Sequence, residues 1–139
     1  MAIRTATAEW RGSSRDGSGT MHFDAYDGPY TWKSRFETAE GTNPEELIGA
    51  AHAGCFSMAL ASQLAKAGHA PEHIQTTARV HIDPVEGGYA ITAIDLSTDV
   101  VAPGLDQATF LQLANQAKVG CPVSQALAAV PINLDARLR

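Results

Sequence analysis

The sequence is short of cysteine, of aromatic residues and of positive charge. Its 139 residues include two cysteines, and aromatic residues make up 6% of the chain. Two cysteines are too few for a disulfide-scaffolded secreted domain, so we expect a cytoplasmic location. Lys and Arg number 10 against 15 Asp and Glu, which gives a net charge of −5. Nucleic acid and the anionic surface of a membrane are therefore disfavoured as partners, because binding to either depends on clustered cations.

Long hydrophobic runs and nucleotide-binding motifs are also missing. The longest weakly polar run, residues 47–61, is shorter than the roughly 20 residues of a spanning helix and contains His52 and Ser57. The chain shows no signal-peptide pattern, no glycine-rich phosphate loop and no G-x-S-x-G motif. The chain is 45% hydrophobic and 18% charged, which is a globular composition, and its length suits a single domain over residues 1–139.

Hydrophobic periodicity and turn signals predict three strands, a long helix, a hairpin, two further helices and a last strand. The predicted ranges are strands at 3–10, 20–26 and 30–37, a helix at 43–66, strands at 75–84 and 88–101, helices at 105–119 and 122–129, and a strand at 131–138. The tripeptide Asp27-Gly28-Pro29 predicts a turn between the second and third strands. Strands grouped in runs indicate an α+β fold with mainly antiparallel pairing.

The helix predicted at 43–66 has the clearest boundaries. Asn43 is a favoured N-cap, Pro44 suits the first helical position, Glu46 completes a capping-box pattern and Gly68 marks the end. The helix is apolar on two opposite sides, so we expect it to be buried on both, with a second subunit covering one of them.

Each of the two cysteines is a candidate for chemistry. Cys55 lies in the middle of the apolar helix, where an inert buried thiol is the ordinary alternative. Cys121 precedes Pro122 and a short helix, so its sulfur is expected near free backbone N–H groups that stabilise a thiolate. An unreactive buried loop cysteine is the alternative there. Zinc is disfavoured, because it needs more ligands than two cysteines supply.

A reactive thiol in an apolar site needs a cation, because burial raises the pKa of a thiol and an adjacent Arg lowers it. His52 is the candidate nearest in sequence, with a hydrogen-bonded core histidine as the alternative. Arg35 and Arg4 are further candidates that the residues alone do not rank. A buried Arg would also need a carboxylate. Glu45, about 80° around the helix from Cys55, is the better placed acid.

Three segments carry a resemblance to a known family. Thr42–Leu60 surrounds the first cysteine, Ala117–Leu127 surrounds the second, and Ser34-Arg35-Phe36-Glu37 contains an arginine. Together they resemble the motifs of the osmotically inducible protein C (OsmC) family, which is related to the organic hydroperoxide resistance (Ohr) proteins. The resemblance covers essentially the whole chain and favours the OsmC branch.

The resemblance implies both a fold and an activity. The fold would consist of antiparallel sheets wrapped around long central helices in an intertwined homodimer, with two sites at the subunit interface. The activity would be that of a thiol-dependent peroxidase reducing organic hydroperoxides to alcohols. Cys55 would be the peroxidatic thiolate and Cys121 the resolving cysteine that joins it in a disulfide. Arg35 would stabilise the thiolate and orient the peroxide, and Glu45 would hold Arg35.

The same resemblance implies no metal or organic cofactor, and an external dithiol reductant of the lipoyl type. Apolar side chains around the thiol would favour alkyl hydroperoxides over hydrogen peroxide, or would be plain core. The candidates for this lining are Phe56, Met58, Tyr26, Tyr30 and Trp32. Two other functions stay open: a non-catalytic redox sensor or hydrophobic-ligand-binding protein on the same scaffold, and a structural dimer with inert cysteines.

Overall fold

A computed structural model describes residues 1–139 as six strands and four helices. In chain order these are β1 (Thr7–Arg11), β2 (Ser18–Phe23), β3 (Tyr26–Tyr30), α1 (Trp32–Phe36), α2 (Pro44–Lys66), β4 (His73–Val85), β5 (Gly88–Val101), α3 (Gln107–Gly120), α4 (Pro122–Ala126) and β6 (Ile132–Leu138). The chain falls into two units, Met1–Leu47 and Ile48–Arg139, and each is described by itself. The expectation of a single domain stays a prediction.

The first unit contains an antiparallel sheet in the order β1-β2-β3. The predicted turn at Asp27-Gly28-Pro29 is wrong, because the chain turns earlier, at Asp24, whose φ of +51° is one that Asp tolerates. Gly28 and Pro29 instead lie within β3. A Cβ at Gly28 would come within 2.8 Å of the Thr42 side chain, so this glycine permits a close approach and not a turn. Pro29 is tolerated because β3 is an edge strand.

The strand predicted at 30–37 is also wrong over most of its length. Residues Trp32–Phe36 form the short helix α1, which is capped reciprocally by Thr31 and Ser34. The Thr31 hydroxyl accepts from the backbone N–H of Ser34 at 3.1 Å, and the Ser34 hydroxyl accepts from that of Thr31 at 2.8 Å. Serine takes the place of the usual Glu or Gln of a capping box, which makes the signal weaker in the sequence.

Helix α2 has the boundaries that its sequence predicts. The Asn43 side chain accepts from the backbone N–H of Glu46 at 2.7 Å, as an N-cap should. The Glu46 carboxylate accepts a hydrogen bond from the Thr42 hydroxyl at 3.2 Å. Gly68 follows the last turn with a φ of +84°, a conformation that favours glycine.

The second unit contains a sheet in the order β4-β5-β6. β4 and β5 form the predicted hairpin, closed by Glu86 and Gly87 between the paired residues Val85 and Gly88. β6 pairs with β5 in parallel, because the chain returns to the sheet through α3 and α4. The other strand pairs are antiparallel, and the α+β class is confirmed.

One stripe of α2 enters the core of the second unit. Phe56, Leu60 and Leu64 are buried with residues of β5 and α3. Gly49 lets the helix approach the sheet, because a Cβ there would meet Val80 at 3.4 Å. The opposite face is open within the chain, with Met58 78% exposed. Burial of α2 on both sides is therefore not achieved by one chain alone, and its covering by a second subunit stays a prediction.

Helix α2 is also long and apolar enough to cross a membrane by length and composition. This is weak evidence, because the core helices of water-soluble proteins pass the same test.

Candidate active site

The two cysteines meet at the junction of three helices. Cys55 lies in the middle of α2, and Cys121 links α3 to α4. Their sulfur atoms are 2.8 Å apart and both thiols are free. Cys121 is wholly buried, whereas Cys55 is partly exposed. The structure therefore brings together two residues that are distant in sequence, and Cys55 is the less buried of the two.

The local sequence around Cys121 explains its position. Its backbone N–H bonds the carbonyl of Ala117 at 2.9 Å, which ends α3, and its own carbonyl accepts from Gln125 at 3.0 Å, which begins α4. Pro122 occupies the first position of α4 and keeps the preceding residue out of the helical conformation. The chain therefore bends at Cys121.

The two thiols have opposite pKa shifts. The pKa of Cys55 is raised, first by burial and then by its hydrogen bond with Cys121. The pKa of Cys121 is lowered: burial opposes this, but interactions with Cys55, Ser124 and Val123 outweigh it. Because the sulfurs share a hydrogen bond, the pair loses its first proton as a unit. The surroundings within Ile48–Arg139 favour the resulting charge on Cys121.

His52 lies one helical turn before Cys55 on α2 but is not a cation. It is wholly buried, and burial lowers its pKa, so the ring is neutral near pH 7. Its Nε2 is 2.7 Å from the Oγ of Ser124. The sequence alternative of a hydrogen-bonded core histidine is therefore confirmed. Ser124 was not singled out from the sequence, although its place three residues after Cys121, on the first turn of a helix, is a usable signal.

In the first unit the structure pairs Arg35 with Glu45. Arg35 Nη2 lies 2.6 Å from Glu45 Oε1, and Arg35 Nε lies 3.1 and 3.2 Å from the two carboxylate oxygens. Glu45 is 5% exposed and the Arg35 side chain is 38% exposed. A buried carboxylate needs such a partner, and a two-point contact with Arg is among the stronger forms.

Helix α1 fixes the position of Arg35. The Ser34 hydroxyl donates to the carbonyl of Thr42 at 2.8 Å, and the Asn43 side chain donates to the carbonyl of Ser34 at 3.0 Å. These bonds fasten α1 to the segment that leads into α2. The residue next to Ser34 is thereby held within reach of Glu45.

Three further candidates from the sequence have these surroundings, and their roles stay predictions. Arg4 is exposed and bonds the carbonyl of its neighbour Ile3. Phe56 lies in the core and Met58 is exposed, because two residues along a helix point in nearly opposite directions.

The three aromatic candidates for the lining pack against different neighbours, and their contact with the thiol stays a prediction. Tyr26 stacks on Phe23 and Tyr30 packs against Trp10. The third member, Trp32, contacts Phe36 and Arg15. Tyr26 and Tyr30 lie four residues apart on one strand, which separates them by about 13 Å.

The sequence of the chain is similar to those of known proteins. A family model described as OsmC-like protein matches residues 37–135. The chain is 50% identical over 135 residues to Peroxiredoxin OsmC of Escherichia coli (strain K12), covering 95% of this chain and 94% of the relative. It is 32% identical over 88 residues to an organic hydroperoxide resistance protein of Xanthomonas axonopodis pv. citri, covering 63% and 60% of the two chains.

Solved structures share the fold. The organic hydroperoxide resistance protein OhrB of Bacillus subtilis matches with a TM-score of 0.70 and 26% identity, covering 99% of this chain and 100% of that one. An OsmC-like protein of Mycoplasma pneumoniae matches with a TM-score of 0.78 and 16% identity, covering 99% and 97%. The fold of the chain is therefore the α+β fold of these proteins.

Proposed function

Since the chain belongs to the OsmC-like family, we propose that it is a thiol-dependent peroxidase that reduces organic hydroperoxides to alcohols. The observation that carries the proposal is the pair of free sulfurs 2.8 Å apart, one partly exposed and one wholly buried. The names of the relatives, a peroxiredoxin and organic hydroperoxide resistance proteins, support it.

The proposed reaction begins at Cys55, the less buried of the two cysteines. Its thiolate attacks the outer oxygen of the hydroperoxide, the O–O bond breaks, and the alkoxide leaves and takes a proton to become the alcohol. Cys55 is then a sulfenic acid. Cys121 condenses with it to a disulfide and releases water, and an external dithiol reduces the disulfide. We propose a dithiol of the lipoyl type for this last step and no metal or organic cofactor.

The first step needs a cation, because burial and Cys121 raise the pKa of Cys55. We propose that Arg35 supplies it. Glu45 binds Nε and Nη2 of the guanidinium, which leaves Nη1 for the thiolate or the peroxide. A guanidinium held in this way combines charge with fixed geometry. Glu45 is then a positioning residue for Arg35.

We further propose that the protein acts as a cytoplasmic homodimer with its sites at the subunit interface. The open face of α2 supports this, because it leaves Ala51, Gly54 and Met58 exposed in one chain. A helix with a second apolar face is best explained by a second packing partner.

Turnover of cumene hydroperoxide with a dithiol reductant tests the function. The wild-type protein is expected to turn over many times, and Cys55→Ser is expected to have no activity. Cys121→Ser is expected to react once and then over-oxidise at Cys55, which mass spectrometry detects as added oxygen. Activity that survives Cys55→Ser would contradict the proposal. A single oxidation of the wild type without turnover would instead favour a redox sensor.

A further inference from the structure

A second side-chain contact joins the two segments that carry the cysteines. His52 lies three residues before Cys55 on α2, and Ser124 lies three residues after Cys121 on α4. His52 Nε2 is 2.7 Å from Ser124 Oγ, and both residues are buried. This hydrogen bond therefore links the helix that contains one cysteine to the helix that follows the other.

Helix α4 needs contacts with the rest of the unit to keep its position. It spans five residues, Pro122–Ala126, and a helix of this length is not stable by itself. Its backbone bonds are local, such as that from the N–H of Gln125 to the carbonyl of Cys121 at 3.0 Å. Leu127, at the far end, packs against the core. The turn next to Cys121 is attached to α2 by the bond to His52.

Burial makes the His52–Ser124 bond costly to lose. His52 is wholly buried, and its other ring nitrogen, Nδ1, has no hydrogen-bond partner. Without the hydroxyl of Ser124, both ring nitrogens would be buried and unsatisfied. A buried polar group without a partner is unfavourable, so removal of the hydroxyl favours arrangements in which α4 moves away and water enters.

The position of α4 matters because Cys121 begins it. The Cys121 sulfur is 2.8 Å from that of Cys55, and Cys121 has no exposed surface. Disulfides form only within a narrow range of geometry, so a displaced bend would take the two sulfurs out of reach of each other.

We propose that the His52–Ser124 bond holds the bend at Cys121 closed, so that Cys121 stays buried and within reach of oxidised Cys55. His52 and Ser124 are then positioning residues for disulfide formation, and in this the proposal rests on the peroxidase function above. The Cys121 sulfur attacks the sulfenic sulfur of Cys55, an S–S bond forms, the S–O bond breaks, and the thiol proton leaves with the oxygen as water. Cys121 is oxidised and the sulfenic sulfur is reduced.

Alkylation of Cys121 by iodoacetamide in Cys55→Ser protein tests the bond without peroxide. Because Cys121 is wholly buried, the reagent reaches it only while the bend is open. Ser124→Ala is expected to raise the rate of alkylation about tenfold, since a buried hydrogen bond that opposes opening is lost. An unchanged rate would overturn the proposal.

A double-mutant cycle separates the bond from the two residues as such. His52→Leu is expected to raise the rate of alkylation as Ser124→Ala does. Together the two changes are expected to have much less than the product of their single effects, because each removes the same bond. A full product would show that the residues act separately, which would overturn the proposal.

Thr98→Val is the matched control for the loss of a buried hydroxyl. Thr98 is wholly buried, and its hydroxyl bonds Thr76 at 3.0 Å and the carbonyl of Gln75 at 3.3 Å. We expect Thr98→Val to leave the alkylation of Cys121 unchanged. An equal rise in this variant would overturn the proposal, since general loosening would then explain both results.

The products at Cys55 test the role in the reaction. Where the bend is open, a second hydroperoxide oxidises the sulfenic acid to sulfinic acid before Cys121 reacts. With excess cumene hydroperoxide, Ser124→Ala is expected to raise the ratio of sulfinic acid to disulfide at least about twofold. Mass spectrometry measures this ratio, and an unchanged ratio would overturn the positioning role. A wild-type protein that turns over no hydroperoxide, with alkylation that still rises in Ser124→Ala, would overturn the peroxidase function and support the role of the bond in holding Cys121.

Discussion

The sulfur of Cys55 carries the proposed chemistry but has the less favourable surroundings for a thiolate. Burial and its neighbour Cys121 raise its pKa, whereas interactions with Ser124 help to lower that of Cys121. A positive charge that acts on Cys55 alone would reverse this order. The Arg35–Glu45 pair is the proposed source of that charge, so its geometry matters to the rate.

The first prediction concerns Glu45→Gln. The amide cannot accept two charge-assisted hydrogen bonds from Arg35, so the guanidinium loses its fixed position. We expect kcat/KM for cumene hydroperoxide to fall by up to roughly a hundredfold. Glu46→Gln is the matched control, because it removes the same charge from the next, exposed residue and leaves Arg35 untouched. Equal losses in the two variants would contradict a positioning role for Glu45.

Residues of the site were predictable from the sequence to different degrees. The local context of each cysteine marks it as a candidate, and the structure places their free sulfurs 2.8 Å apart, whereas the disulfide that the resemblance implies stays a prediction. The sequence offers His52 as a cation, but its burial, and hence its neutral state, depends on tertiary packing that the sequence does not show. The sequence does not show the place of Ser124 in the site either, because its hydrogen-bond partner, His52, lies on another helix.

Helices and strands were predictable where their boundaries depend on local sequence and not where they depend on tertiary contacts. α2 was predicted within a residue of each end, because an Asn-Pro start and a glycine stop are local features. The Gly28-Pro29 pair indicates a turn, but both residues lie in a strand, and the contact that requires Gly28 involves the distant residue Thr42. The parallel pairing of β6 with β5 was not predicted either, since register across a crossover leaves no trace in either strand alone.

The second prediction concerns the contact of α2 with β4. Gly49→Val places a branched side chain where a Cβ already meets Val80 at 3.4 Å. We expect a loss of about 1–3 kcal/mol in the free energy of unfolding, measured by urea denaturation. Ala65→Val adds the same side chain at an exposed position of α2 and is expected to cost less than about 1 kcal/mol. Because Val is a better helix former than Gly, helix propensity alone predicts a gain at Gly49, so an unchanged or higher free energy of unfolding in Gly49→Val would contradict close packing at this contact.

For the molecule as a whole, the open face of α2 is the feature that one chain does not explain. Met58 is 78% exposed in a helix whose other side forms the core. Large exposed apolar patches commonly mark interaction sites. The proposed homodimer would cover this face, and the oligomeric state then controls whether the site is complete.

The third prediction is that Met58→Arg dissociates the proposed homodimer. A charge buried at an interface without a partner is strongly unfavourable. We expect the mass from light scattering to fall from that of two chains to that of one, with loss of peroxidase activity. Val85→Arg, at the tip of the β4–β5 hairpin, introduces the same charge at another exposed apolar residue and is expected to change neither. A dimer that persists in Met58→Arg would place the interface elsewhere.

Cys55 and Cys121 are 66 positions apart along the chain and in contact in space. A covalent link between them would close a long loop and restrict the unfolded chain, which in the chain-entropy model favours the folded state by about 4 kcal/mol. The protein would then alternate between a more and a less heat-resistant form with every catalytic cycle. Its melting temperature would report how fully the cellular reductant keeps pace with the oxidant.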